Sequence, residues 1–418
     1  MQHEYLARAE RIMQRIQQLA AISEDAHGVT RTFGTPAFLE GRALVQRWLQ
    51  AAGLPTRVDG IGNLRARLQS RHPAAKTFVL ASHIDTVVNA GKFDGPLGVL
   101  MGLDLLERLV EQQADLPFHI ELIAFSDEEG VRFHTTYLGS KVVAGSFDTA
   151  LLARPDAAGI TLAQALETMG ADATKIPADA IPAAEWLGYF EMHIEQGPVL
   201  WERNVPVALV TAIAGQQRVE LIFRGMAGHA GTVPMAMRQD ALCAAAEFVL
   251  TAEQFAQAHG RGLVATVGKL AVSYSASNVI PGEVTCSLDL RSPSQAQLAD
   301  AARALQGFAE GLAAHRAVAL TWTLVQQTAP VACDAALNTL LAQAIAESGH
   351  EAIPLVSGAG HDAVPVSAVA PATMLFIRCY KGISHNPLED VELGDLAAAI
   401  EVADRFIQLK MKDTTTSC

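Results

Sequence analysis

Two short apolar runs, "KTFVLASHI" and "FHIELIAFS", bracket a helix-like stretch, "PLGVLMGLDLLERLVEQQ", and this order constrains the chain more than any other feature. Runs of this length and apolarity read as buried strands. Pro96 stands near the start of the helical stretch, where its missing N–H does no harm. Strand, helix, strand predicts a mostly parallel sheet covered by helices. Upstream, "GNLRARL" reads as a short strand and "AFLEGRALVQRWLQAAGL" as a helix closed by Gly53. Leu6, Ile12, Met13, Ile16 and Leu19 lie near helical spacing in an amphipathic first helix.

The strand-like runs share an ending. "TFVLASHID" stops at His83 and Asp85, "HIELIAFSDEEG" at Asp127, Glu128 and Glu129, and "LGYFEMHIEQG" at His193 and Glu195, while "ATMLFIRCYKGISH" runs on to His385. Asp94 follows the first run, in the Gly-rich loop "NAGKFDGPLG". Ligands of open α/β sheets sit outside the carboxyl ends of the strands, so these endings can converge on one crevice. Three His with one Asp and one Glu suit two divalent ions sharing a bridging carboxylate, which points to a two-metal hydrolase. A single His at a strand end is more often structural than a ligand. The doubled Glu closing an apolar strand, together with the other four residues, outweighs that. Glu128 and Glu129 are adjacent, so their side chains diverge; Glu129 is assigned to the metal and Glu128 as general base. Asp85 is expected to accept a hydrogen bond from the His83 imidazole and fix its tautomer. Its plain alternative is a solvated turn residue.

Half of the 418 residues are hydrophobic and 18% are charged, enough apolar material for a substantial core. The length suits two or three domains. A formal net charge of −13 without a basic stripe argues against nucleic acid and anionic membrane as partners. No uninterrupted apolar run reaches the roughly 18 residues of a membrane span, and the N-terminal stretch carries charges throughout, unlike a signal peptide. Cys243, Cys286, Cys333, Cys379 and Cys418 are scattered, without a CxxC. That fits a reduced compartment, and a cytoplasmic location is expected.

From about Val210 the pattern changes to strand, helix, paired antiparallel strands, helix, strand. That is the order of a ferredoxin-like α+β module. It is read as an insertion covering 213–329 within a catalytic domain made of 1–212 and 330–418. Residues 151–184 read as helical excursion and loop, and the tail "KMKDTTTSC" as polar and mobile.

The ordered motifs "SHIDTVVNAGKFDG", "FSDEEGVRF", "HIEQGPVL", "GMAGHAGTVP", "SNVIPGEVTCSLDLR", "SGAGHDA" and "GISHNP" resemble the allantoate amidohydrolase and N-carbamoyl-L-amino-acid hydrolase family. That family lies within the aminoacylase-like, two-metal peptidase superfamily. The resemblance extends over essentially the whole chain and implies two divalent ions per subunit, Mn²⁺ or Zn²⁺, on His83, Asp94 (bridging), Glu129, His193 and His385. It also implies Glu128 as base and a homodimer, the inserted module serving dimerisation. In that dimer His229 would reach the neighbouring subunit's site and stabilise the oxyanion. Asn278 and Arg291 match residues that hold a substrate carboxylate, for which a guanidinium fork is well suited. Gln216 matches a substrate-contacting position. Gly358, Gly360 and His361 of the "GAGHD" loop would bring backbone N–H groups near the ligand, or His361 would only pack. Related peptidases use a carboxylate where His193 stands, and a longer gap between the first His and the bridging Asp. The chain departs from them towards the ureido branch.

"SHIDTVV" with "NAGKFDG", and "FSDEEGVRF" with "TTYLGS", look more like the allantoate enzymes than the carbamoylases, which more often have a proline near Val88. The expected reaction is therefore cleavage of one ureido group of allantoate, giving ureidoglycine, ammonia and carbon dioxide. N-carbamoyl-L-amino acid or β-ureidopropionate hydrolysis is the alternative. A metallo-dipeptidase or aminoacylase is more distant. So is a metal-bearing binding protein without catalysis, which would need no Glu128.

Overall fold

The computed structural model describes residues 2–72, 74–260 and 262–416. The amphipathic N-terminal stretch forms α1 (Gln2–Ala20), followed by α2 (Pro36–Ala51), β1 (Thr56–Val58), β2 (Leu64–Leu68), β3 (Thr77–His83), α3 (Pro96–Glu111) and β4 (His119–Phe125). Then come α4 (Leu138–Val143), α5 (Leu162–Thr168), β5 (Trp186–Ile194), α6 (Val199–Arg203) and β6 (Val207–Ile213). The next segment holds β7 (Gly215–Arg224), β8 (Gly228–His229), α7 (Ala241–His259), β9 (Val264–Thr266), β10 (Leu270–Val272), β11 (Val279–Ile280), β12 (Glu283–Ser292), α8 (Gln295–His315), β13 (Ala319–Thr328) and β14 (Val331–Ala332). The chain ends with α9 (Ala335–Glu347), β15 (Pro354–Ser357), α10 (Ala363–Val366), β16 (Ala372–Ile377) and α11 (Leu393–Thr416).

Local chemistry accounts for the boundaries. Thr35 caps α2 by accepting the Phe38 N–H, Pro36 occupies its first turn, and Gly53 takes a positive φ of 76° just beyond its end. All seven residues of β3 and all seven of β4 are buried, as near-continuous apolar runs require.

The first unit comprises Met1–Thr211, Cys333–Leu355 and Gly360–Cys418. The centre of its sheet, in the order β4-β3-β5-β16, is parallel, as the sequence predicts. Its flanks are not. β2 pairs antiparallel with β4, β1 with β2, and β6 with β16. Helix α3 packs on β3 and β5, α1 on α3 and α11, and α9 on α11 and β16. Phe78, Leu80, Phe190 and Phe406 lie in the resulting core. The tail departs from its expected mobility. α11 continues to Thr416, since Lys410 and Met411 lie on a helix that already packs on the core; Ser417 and Cys418 lie outside the described residues. Among the described residues no helix is long and apolar enough to cross a membrane.

A buried charge cluster ties α1 to this unit. Arg8 donates to Asp104 of α3 at 2.8 Å and to both oxygens of Asp404 of α11 at 2.5 and 3.0 Å. Burial alone would depress the guanidinium's pKa, but the two carboxylates more than reverse it. Without Arg8, Asp104 keeps Arg11 at 2.6 Å and Asp404 keeps Arg108 at 3.2 Å, so each buried carboxylate is left with less compensation, not with none. Arg8→Met should therefore destabilise the fold, by less than the about 3–5 kcal/mol of a fully orphaned buried charge. A thermal or urea unfolding series that leaves the midpoint unmoved would show the cluster to be energetically idle.

The second unit comprises Ala212–Ala332 with Val356–Ala359. Its sheet runs β10-β12-β7-β13, with β9 also beside β12, and every pair is antiparallel. Buried and less buried residues alternate strictly along β12, so one face can meet α7 and α8 while the other stays polar. Val219, Leu221, Phe223, Leu288 and Leu290 form the apolar face against Phe248, Leu298 and Leu305. Val356–Ala359, placed by sequence with the C-terminal part of the catalytic domain, belong to this unit.

Candidate active site

Because β4, β3, β5 and β16 are adjacent and parallel, their carboxyl ends lie along one edge. His83 is the last residue of β3, level with Phe125 of β4, and His193 is level with Phe376 of β16. Asp127, Glu128 and Glu129 follow β4, and the loop after β16 carries His385. The loop between β3 and α3 carries Asp94, whose two oxygens divide the site. Oδ1 lies 3.1 Å from His193 Nε2 and 3.7 Å from His83 Nε2. Oδ2 lies 3.0 Å from His385 Nε2, which is 3.5 Å from Glu129 Oε1. Two potential metal-holding sets result, His83–Asp94–His193 and Asp94–Glu129–His385, sharing one carboxylate.

The donor set fits two divalent ions. A tetrahedral ion with bonds of about 2.1 Å separates its ligand atoms by about 3.4 Å, close to the spacings found. The tautomers fit as well. His83 Nδ1 faces the Asp85 carbonyl at 3.0 Å and His193 Nδ1 the Ile194 carbonyl at 2.9 Å. A carbonyl can only accept, so each Nδ1 carries its hydrogen and each Nε2 is left for the shared carboxylate's side. Gly95, at φ 82°, allows the close approach, since a Cβ there would stand 2.4 Å from the His83 ring.

The electrostatics describe a site short of positive charge. Burial would raise Asp94, yet His193, His385 and His83 hold it well below the usual carboxylate range. Hydrogen bonding to Asp94 pushes His385 up to about 9. Burial, then the Asp94 charge, pushes Glu129 up to about 7, and burial drives Glu128 well above the ordinary range. Buried carboxylates crowded around histidines in this way are a setting that would favour bound cations.

Asp85 differs from its expected role. The nearer acceptor for the His83 imidazole is the Asp85 backbone carbonyl, with the carboxylate at 3.5 Å. That carboxylate instead accepts the Glu128 and Glu129 amides, each at 3.1 Å. It therefore orients the two glutamates while still facing the His83 imidazole, whose pKa it helps to raise. Glu195 accepts the Val199 and Leu200 amides at 2.8 Å and is held away from the ligand sets. His361 is buried, its ring packed edge-on to His193 at 4.6 Å.

Several residues here went unnoticed in the sequence. Glu389 Oε1 accepts the Phe93 and Asp94 amides at 2.7 and 3.0 Å, and so fixes the backbone that carries Asp94. Gln196 and Ser384 donate to Asp94 Oδ2. Glu191 shares a face of β5 with His193, a relation that strand periodicity alone could have flagged. Its Oε2 accepts the Tyr189 hydroxyl at 2.9 Å and the Ala363 amide at 3.1 Å. Asp362 accepts the Ser140 hydroxyl at 2.5 Å.

The remaining candidates belong to the second unit. Arg291 on β12 is paired in register with Gln216 on β7. Arg291 donates Nε and Nη2 to Asp289 at 3.0 and 3.2 Å, and Nη1 to the Gly358 carbonyl at 2.6 Å. Gln216, expected to face substrate, commits its amide nitrogen to Asp289 at 2.7 Å. Asp289, missed in the sequence, gathers these donors. Burial would raise its pKa, but hydrogen bonds from Arg291, Arg218 and Gln216 lower it. Exposed His229 pairs with Val279, and the Gly231 N–H donates to its Nδ1 at 3.0 Å, which leaves the proton on Nε2. Asn278 is exposed, and its carbonyl accepts the Ala230 amide at 2.9 Å.

An α/β sheet whose carboxyl edge gathers two ligand sets around one aspartate, with a glutamate alongside, is the architecture of a two-metal hydrolase. The chain belongs to peptidase family M20/M25/M40, which matches residues 79–409. It is 37% identical to the N-carbamoyl-L-amino acid amidohydrolase of Geobacillus stearothermophilus over 399 residues, 95% of this chain and 97% of that one. It is 35% identical to the allantoate deiminase of Arabidopsis thaliana over 440 residues, 98% of this chain and 83% of that one. The crystal structure of an amidase of the hydantoinase/carbamoylase family from Burkholderia multivorans superposes with a TM-score of 0.90 at 34% identity, covering 96% of this chain and 97% of that one. The chain is a hydrolase of this family, and the resemblance read from its motifs holds.

The Asp85 contacts carry a test. Asp85→Asn keeps the shape but turns one acceptor into a donor facing a glutamate amide. Metal affinity should fall about 10- to 100-fold, read by isothermal titration of the metal-free enzyme; unchanged affinity would reduce Asp85 to a turn residue.

Proposed function

We propose that the protein hydrolyses the ureido C–N bond of a small anionic substrate, with allantoate as the first choice. The observation that carries this reading is the shared Asp94, flanked by two three-residue sets, with Glu128 next in the chain to Glu129 and held through its amide by Asp85. His83, Asp94 and His193 would hold one ion, and Asp94, Glu129 and His385 the other; Mn²⁺ and Zn²⁺ both suit this donor set. Such ions lower the pKa of water and polarise a carbonyl.

The chain's own residues supply the rest. Glu128 takes the proton of the attacking water and passes it to the leaving nitrogen. Its amide, fixed on Asp85, sets where the side chain starts from for both transfers. The carbamate formed gives ammonia and carbon dioxide, so one water converts allantoate to ureidoglycine, ammonia and carbon dioxide. Arg291 and Asn278 would hold the substrate carboxylate, with Gly358, whose carbonyl Arg291 meets, next to them, and His361 as a further substrate-binding candidate. Asp289 and the Gly358 carbonyl take three of the five N–H donors of Arg291, which leaves two for a substrate carboxylate. His229 presents an Nε2–H donor suited to an oxyanion, and in a homodimer it would serve the neighbouring subunit, the module at 213–329 forming the dimer contact. The absence of any basic stripe supports a small-molecule substrate, and a cytoplasmic location goes with it. A second reading, hydrolysis of N-carbamoyl-L-amino acids, is favoured by the 37% identity to the Geobacillus enzyme.

Ammonia release should be measured from allantoate, an N-carbamoyl-L-amino acid, β-ureidopropionate and a dipeptide control. Turnover of allantoate well above the others supports the first reading, preference for the carbamoyl amino acid the second, and activity on the dipeptide alone neither. Glu128→Gln should retain metal yet lose at least about 100-fold in kcat; loss of metal instead would exchange the roles of Glu128 and a ligand.

Arg291→Lys keeps the charge and loses the planar fork. We expect kcat/KM for allantoate to drop at least about tenfold, with a much smaller change on an amide lacking a carboxylate. Equal losses on both would make Arg291 a structural residue.

A further inference from the structure

The two oxygens of Asp94 are not equivalent. Oδ1 faces the Nε2 atoms of His193 and His83. Oδ2 is already engaged: Gln196 Nε2 donates to it at 2.9 Å, and Ser384 Oγ lies at 3.1 Å. Ser384 has a single hydrogen, which Glu389 Oε2, also at 3.1 Å, competes for. Gln196 has two. Besides Oδ2, its nitrogen lies 3.3 Å from Ser384 Oγ and 3.4 Å from His385 Nε2. One side-chain amide thus stands against Asp94 Oδ2 and His385 Nε2, on the side of the Asp94–Glu129–His385 set, while the contacts of His83 and His193 go to Oδ1.

We infer that Gln196 is a positioning residue that makes the two ion sites unequal, weakening the Asp94–Glu129–His385 site relative to the other. This rests on the two-metal reading above. The reason is donor and acceptor counting. A carboxylate oxygen has about two lone pairs in plane, and an N–H pointed at one is a positive end where a cation would have to sit. The histidines of both sets hydrogen-bond Asp94 and must give up those bonds to an ion, but Oδ2 carries in addition an amide donor from outside its set, which competes with the ion for one of its lone pairs. A half-turn of the terminal amide exchanges its donor for its carbonyl acceptor with little change of shape, so release needs no backbone movement. The backbone is in any case held: Gln196 has φ 57° in the turn after β5. Occupancy of the second site, and turnover with it, then follows free metal over a concentration range that Gln196 sets. A purely supportive partner of a ligand would act with the opposite sign, because removing such partners weakens metal binding.

That difference of sign is the test. Metal-free enzyme, wild type, Gln196→Asn and Gln196→Gly, is titrated with Mn²⁺ by calorimetry, with melting temperature as a check on folding. Asn and Gly both tolerate positive φ, and neither reaches Oδ2. The wild type should bind two ions in resolved steps. Both variants should tighten the weaker step about tenfold, as expected for a lost charge-assisted hydrogen bond, and leave the tighter step within about twofold. A weaker or unchanged second step, or equal movement of both steps, overturns the inference while leaving the two-metal reading intact. A single ion in the wild type, with melting temperatures normal, would remove the two-metal reading and the inference together.

Discussion

Asp94 is the carboxylate on which the rest of the site depends. Each of its oxygens serves a different trio, so a small displacement of one loop would open both. The fold holds that loop from two sides. Glu389 accepts the Phe93 and Asp94 amides on one carboxylate oxygen, and Gly95 lets the chain pass against the His83 ring. A buried glutamate used this way carries a desolvation penalty, visible in its pKa of about 7. It places an acid beside acids, which is tolerable only where positive charge is to be received.

The same device recurs around the site: polar side chains are oriented through backbone groups rather than through each other. His83 and His193 turn Nδ1 to main-chain carbonyls, and Asp85 receives two consecutive main-chain amides. Main-chain groups at the ends of paired strands are rigid, so they position a ligand atom more closely than another long side chain could. The parallel register of β3, β4, β5 and β16 is what puts those strand ends side by side.

The second unit applies a different logic. Its sheet buries one face against two helices and leaves the other for polar side chains. On that free face Asp289 collects Gln216, Arg218 and Arg291. One carboxylate thereby fixes the direction of a guanidinium that would otherwise be a flexible surface group. The arrangement explains why Gln216 stands with its amide nitrogen turned towards Asp289 instead of outwards.

The strand–helix–strand order, the parallel centre of the first sheet and the residue types brought to its edge are legible in the residues alone. Hydrophobic period and strand endings are local properties, and a parallel sheet aligns those endings whatever its details. The sequence also carried the family, because ordered motifs such as "HIEQG" and "GISH" survive as strings. Which oxygen of Asp94 meets which imidazole, and that Asp85 receives two amides, came from the folded arrangement. The roles of Glu389, Gln196 and Asp289 are likewise tertiary. Those contacts join residues far apart in the chain, at spacings fixed by strand register and loop path, and no short-range pattern encodes them. The antiparallel flanks of the sheet were hidden for the same reason. An edge strand such as β2 has the same apolar content in either direction, and its direction follows from the neighbour it finds.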